Sequence, residues 1–269
     1  MPAYGRPAAY AHLVLRILDA RTGEAVPAAP ARRGLTRVEA RASGLDPTAL
    51  RVLLTADVLV RALELSGTPV WTTLTAAHHH AGLRAAAATL SIRPFEDGRT
   101  LTPGLGEAQA IQVTAEDTDA VGEGPVVWVA PLEWTGEPLG AHTPDPAAPP
   151  APQVPLDDPA ALRLALLSVP RGEPVRLDCA ALDEAAGRLA RWRRAVAGWA
   201  RQPSRPVPDE VRTRLRSAWE DDLDLPGVLD VLRDVETGTG PADGARFETY
   251  VYADRLLALD LARDLGSLA

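Results

Sequence analysis

Between His142 and Leu156 the chain reads HTPDPAAPPAPQVPL, and no helix or central strand can run through such a segment, because every proline lacks an amide donor and restricts its own φ. Spacing of this kind makes an extended, semi-rigid connector. Any fold must therefore be assembled from the residues on either side of it. The reading places a first domain at residues 1–145, a linker at 146–156 and a second domain at 157–269, and a chain of 269 residues is long enough for two cores.

Ahead of the linker, His12–Leu18 has the look of a short strand, and Asp19–Glu24 carries the Asp, Thr and Gly of a turn. Leu35–Ala42 alternates as a second strand. Apolar residues recur at helical spacing from Pro47 to Leu65, with proline tolerated in the first turn and Ser66-Gly67 as the stop. Pro69–Leu74 returns to strand character, His78–Leu90 is an alanine-rich helix, and Ala110–Thr114 and Pro125–Ala130 are further strands. Strand, helix, strand, helix predicts parallel pairing through right-handed crossovers, hence an α/β half of Rossmann-like type. It contains neither GxGxxG nor GxxxxGK[ST], so no standard phosphate loop supports a nucleotide site.

After the linker, Asp158 can cap a helix through Ser168, Asp178 or Asp183 a long one to about Arg201, and Pro208-Asp209 a third through Asp222. Pro226–Val235 and Ala245–Leu265 complete an all-α bundle. The stretch Leu162–Leu167 is too apolar to face water on all sides and is expected to bury against the α/β half.

The formal net charge of −8 argues against a phosphate-neutralising surface and so against nucleic acid as the main partner. No lysine and no asparagine occurs, so chemistry that needs an ammonium group is closed to the chain, and arginine is not its equivalent. Cys179 is the single cysteine, which excludes an internal disulfide and, with no leader pattern at the start, leads to an expectation of a reducing cytoplasm. Charged residues or prolines break every apolar run short of a membrane span.

The helices carry a resemblance. Asp158–Leu167, Leu182–Arg194, Asp221–Pro226 and the closing Arg246–Leu261, in that order, resemble the helical region of cysteinyl-tRNA synthetases, and more so the related cysteine ligase of mycothiol biosynthesis. In the first half, Leu15–Pro27 looks like the opening strand and turn of that family. Asp57–Leu63 is similar to the helix after its first signature, and Val70–Thr75 falls where its second strand would be. The resemblance implies a class I synthetase α/β domain followed by a helical bundle of the kind that contacts the tRNA anticodon stem. The activity it implies is attack of the cysteine carboxylate on the α-phosphate of ATP.

Set against that chemistry, the signatures are gone. Where the family carries His-x-Gly-His at a helix N-terminus, a place suited to phosphate, this chain has Ala49-Leu50-Arg51-Val52, counted from Asp46. The lysine-bearing Lys-Met-Ser-Lys-Ser loop is reduced to its edges in Gly136–Gly140, and no lysine elsewhere can replace it. Zinc needs three or four convergent ligands, yet the matching first-ligand position falls near Ala40–Ala42 and Cys179 stands alone, so zinc is not expected.

If a remodelled cleft persists, its candidates are Thr48, Arg51, His78, His79 and Glu137. Arg51 reads either as an ordinary solvated helix arginine or as an anion contact. His78-His79-His80 reads as an exposed polar helix start, or as a weak metal or anion site whose spacing lets at most two imidazoles share a ligand. No residue is assigned as catalytic or as a metal ligand. The arginines of Arg188–Arg201 and Arg212–Arg216 are interleaved with acids, the pattern of a solvated face, although the equivalent synthetase region touches tRNA. Trp192, Trp199 and Trp219 read as packing anchors rather than base-stacking platforms.

The expected function is a non-catalytic scaffold that binds a protein partner or a small ligand. The alternatives are a repurposed ATP-dependent ligase, with ATP retained only if activity survives, and a tRNA- or RNA-binding adaptor.

Overall fold

The computed structural model describes residues 14–31, 34–98, 107–116, 122–136 and 158–266. The proline-rich linker, Glu137 and the start of the first expected strand lie outside them. The chain begins with an antiparallel hairpin of β1 (Arg16–Asp19) and β2 (Glu24–Pro27). Gly23 turns the hairpin in the left-handed region at φ 72°, a conformation free of strain only for glycine.

Next come β3 (Leu35–Ala42), α1 (Pro47–Leu65), β4 (Val70–Ala76), α2 (His80–Thr89), β5 (Glu96–Asp97), β6 (Glu107–Thr114) and β7 (Val126–Trp128). The five strands form one sheet in the order β5-β4-β3-β6-β7, parallel at every pairing. The first strand of the sheet lies at its centre and later strands add on either side, so the order reverses between β3 and β6. This is the Rossmann-like arrangement that the strand-helix alternation predicts.

Helix α1 is the hub. Asp46 caps it, its carboxylate accepting from the Ala49 amide, and Pro47 occupies the first turn. Every residue from Ala49 to Val60 is buried. The helix can be apolar almost all round because it is covered almost all round. It packs on β3, β4 and β6, and meets β8 (Leu132–Trp134) and α7 (Asp243–Leu257) on its other sides.

The remaining helices are α3 (Pro159–Leu167), α4 (Cys179–Trp199), α5 (Asp209–Glu220) and α6 (Leu225–Thr237). Trp192 is fully buried, edge-on to Tyr250, and donates from Nε1 to Glu236 at 3.0 Å; Trp199 also meets Tyr250, and Trp219 packs on Tyr252. All three tryptophans are thus packing anchors. The last helix is shorter than the periodicity predicts. Ala258 enters the left-handed region at φ 49°, and the Asp254 carboxylate accepts from the amides of Leu259 and Leu261, folding Leu259 and Leu261 back into the core. Both the apolar period and the burial therefore continue past the end of the helix.

The short strands β5, β8 and β9 have no precedent in the sequence pattern. β9 (Val175–Leu177), between α3 and α4, pairs in parallel with β8. Among the described residues, no helix is long and apolar enough to cross a membrane.

Candidate functional site

In open parallel sheets, ligands are bound beyond the carboxyl ends of the strands, at the point where strand order reverses. Here that point lies beyond Ala42 of β3 and Thr114 of β6, next to the first turn of α1. A helix N-terminus there would normally offer free amides and positive potential to an anion. In this chain the offer is already taken. The Asp46 carboxylate receives the Ala49 amide at 2.9 Å, placing a negative charge at the helix N-terminus.

Thr48 and Arg51, both cleft candidates, turn inward. Thr48 Oγ1 accepts the Leu132 amide at 3.0 Å, fastening α1 to β8. Arg51 is 2% exposed, which corrects both sequence readings: it is neither solvated nor open to an anion. Its guanidinium donates to the carbonyls of Ala130 (2.9 Å), Glu173 (2.7 Å) and Pro170 (2.7 Å). Burial lowers its pKa to about 10, against the opposing pull of Glu173. Helical periodicity reports which face a residue occupies but not which carbonyls converge on it, so this role was not visible in the sequence.

His78 and His79 follow β4, at the same end of the sheet, and both are exposed. Their rings meet edge to face with centroids 6.3 Å apart. His79 is the residue before α2 and lies in the left-handed region at φ 61°, with no side-chain cap. His80 turns away, its Nε2 2.8 Å from the Ala76 carbonyl oxygen. Among the described residues, no three His, Cys, Asp or Glu side chains are grouped closely enough to hold a metal ion. Cys179 is exposed at the start of α4, and Gly136 ends the described stretch in which the loop remnant begins.

The sequence reading missed a polar network on the sheet itself. Arg37, Glu39 and Arg41 alternate with Val38, Ala40 and Ala42 along β3, so the ionic side chains share the face opposite the apolar ones. The Glu39 carboxylate, buried, accepts from Arg37, from Arg41 at 3.0 Å and from Thr75 Oγ1 at 2.9 Å. In register on either side stand Thr73 and Gln112, fully buried, whose Oγ1 and Oε1 find no hydrogen-bond partner. The charge alternation Arg-x-Glu-x-Arg within a strand was the available signal.

A second buried ion pair joins the halves. Asp57 of α1 receives Arg163 of α3 at 2.7 Å and Arg61 at 2.8 Å, and Arg163 also donates to the carbonyls of Leu257 and Leu90. Burial alone would raise the Asp57 pKa, but the charges of Arg163 and Arg61 and their hydrogen bonds hold it below the usual carboxylate range. α3 is buried from Ala161 to Leu167, as its apolar composition predicts. The arginines considered for RNA are largely spent on acids: Arg188 on Glu184, Arg191 on Glu236, Arg214 on Asp234 and Arg216 on Glu220, while Arg193 donates to the carbonyls of Leu259 and Asp260.

The central parallel sheet with its reversal point and the helical region that follows it define a Rossmann-like α/β protein with a helical C-terminal part. Comparison with curated proteins finds partial likeness to one group of ligases. The chain is 50% identical over 72 residues to L-cysteine:1D-myo-inositol 2-amino-2-deoxy-alpha-D-glucopyranoside ligase of Parafrankia sp. (strain EAN1pec), covering 27% of this chain and 15% of the ligase. It is 36% identical over 104 residues to the ligase of that name from Acidothermus cellulolyticus, and 37% identical over 113 residues to that from Gordonia bronchialis, in each case covering 39% of this chain and 25% of the relative. No family model matches the chain. The chain is thus a partial homologue of the mycothiol cysteine ligases, a cysteinyl-tRNA synthetase-like family, and spans a quarter or less of the length of these relatives.

Proposed function

We propose that this chain is a non-catalytic relative of the cysteine ligases, a scaffold that retains the fold and binds a protein partner or a small ligand. The observation that supports this reading is the state of the α1 N-terminus. Its anion position carries the chain's own Asp46 carboxylate, and Arg51, the nearest cation in the lost signature, is committed to three backbone carbonyls. Adenylate formation depends on stabilising charge that builds on phosphate oxygens. A carboxylate at the helix terminus opposes that charge. A fold can outlast the chemistry once grafted on it.

ATP–pyrophosphate exchange in the presence of cysteine tests the reading, with one of the homologous ligases as positive control. Exchange at the background of an enzyme-free blank is expected; exchange approaching that of the control would overturn the proposal.

A second reading, a repurposed ligase-type enzyme, has one observation in its favour: the unpartnered Thr73 Oγ1 and Gln112 Oε1 in register with Glu39 in the middle of the sheet. It requires saturable binding of ATP or AMP that Thr73→Val with Gln112→Leu weakens. Nucleotide binding unchanged in that double variant would remove it.

A further inference from the structure

The described residues leave three large hydrophobic side chains exposed, Val14, Leu18 and Leu265. Two of them belong to one short segment. Residues 14 to 18 alternate strictly, with Leu15 and Ile17 in the core and Val14, Arg16 and Leu18 outward, so Val14 and Leu18 stand on the same outward side around Arg16.

Leu18 also lines a cleft of about 490 Å³ together with Trp128, Arg171, Gly172 and Asp222. Those residues come from four separate parts of the chain and are fixed to one another. Asp222 Oδ1 accepts the Leu18 amide at 2.7 Å, and the Asp222 amide donates to the Arg16 carbonyl at 2.9 Å. Arg171 pairs with Asp222 and donates to the Trp128 carbonyl at 2.6 Å. The turn that presents Arg171 is itself held by Arg51, through the carbonyls of Pro170 and Glu173 on either side. Asp222 and Leu223 are consecutive non-glycine residues in the left-handed region, at φ 53° and 58°. Conformations of that kind persist where the surroundings over-determine them, and they concentrate at ligand clamps.

The chemistry of the walls narrows the occupant. The cation and the anion of the cleft already neutralise each other, so no net charge is demanded of a ligand inside. Arg171 Nε is nonetheless a buried donor with no acceptor, and Leu18 and Trp128 supply apolar surface. An aliphatic or aromatic side chain matches that apolar surface. Beside Asp222 the exposed Asp221 and Asp224 outnumber the exposed Arg16 of β1, and the chain as a whole carries −8. Such a field favours a partner with basic residues next to the apolar one.

We propose that the outward face of β1 and the cleft it borders form a docking site for an extended segment of a protein partner, carrying an apolar residue beside lysine or arginine. This rests on the scaffold reading above.

The test is selection of short random displayed peptides against the full chain, followed by fluorescence-polarisation titration of the enriched sequences. Gly172→Trp fills the cleft with little strain, since no atom lies within 4 Å of the position its first side-chain carbon would take. Leu18→Asp removes the apolar wall, and Leu265→Asp, the third exposed hydrophobic, is the control. Enriched peptides should pair an apolar with a basic residue, and their affinity should fall by about tenfold or more in Gly172→Trp and Leu18→Asp and stay unchanged in Leu265→Asp. Failure to enrich any peptide, affinity indifferent to the two cleft variants, or equal loss in the control would overturn the site. Far-ultraviolet circular dichroism confirms that each variant is folded. Pyrophosphate exchange is read separately: a chain that neither exchanges nor binds peptide loses the docking site alone, and one that binds peptide but also exchanges loses the scaffold reading.

Discussion

Two charged side chains inside apolar helices decide most of what this molecule tolerates. Asp57 and Arg163 are each 2% exposed or less, and neither can be buried alone without a large desolvation cost. Arg163→Met is expected to destabilise the chain by about 3–5 kcal/mol because Asp57 loses its buried partner. The double variant Asp57→Leu, Arg163→Met should lie much closer to wild type, and denaturant titration of the four species of the cycle checks this. The pair also sets a pH dependence. Its carboxyl titrates below the usual range in the folded chain, so its contribution is complete above the ordinary aspartate pKa of about 3.9 and is lost as pH falls through the lower folded value. Thermal melts at successively lower pH should show wild type losing stability in that acid window, and Asp57→Asn losing less there. Arg51→Met should remove the donor to the carbonyls of Ala130 and Glu173, while Pro170 keeps the Glu173 amide, at about 1–3 kcal/mol for each orphaned carbonyl that water cannot reach. Hydrogen exchange of the 170–174 turn would then rise.

At the scale of elements, α1 and β3 were legible because their signals are local and agree with one another. A capping aspartate, proline in the first turn, nineteen residues at helical period and a Ser-Gly stop all mark the same helix. Asp46→Ala should cost about 1 kcal/mol, measurable by chemical denaturation, and should not create nucleotide binding by itself while Arg51 stays committed inward. The pair β8 and β9 was illegible for the opposite reason. Each is three residues long, and their pairing joins residues 132–134 to 175–177 across the proline-rich segment, a long-range partnership that no local pattern encodes. The end of α7 was misplaced because Asp254 lets Leu259 and Leu261 remain buried after the helix has stopped. The candidate site fared in the same way. Which signatures were absent could be read directly, whereas the inward turn of Arg51 and the Glu39 network depend on neighbours distant in sequence.

For the whole molecule, several attachments tie the residues before the linker to those after it, among them the Arg51 bonds, the Asp57–Arg163 pair, the β8–β9 pairing and the Arg16–Asp221 bridge. A chain so joined should melt as one unit. Residues 158–269 expressed alone should aggregate or melt earlier than the full chain, because Arg163 loses its carboxylate and Leu166 and Leu167 lose the α1 residues Leu54 and Val58 beside them; a fragment as stable as the whole would show that the attachments contribute little. The central claim is that this assembly has outlived adenylate chemistry. Isothermal calorimetry with a non-hydrolysable cysteinyl-adenylate analogue tests it most directly, with a homologous ligase titrated under the same conditions. The account predicts saturable heat for the ligase and none for this chain, whereas saturable binding to this chain in the range of the ligase would contradict it.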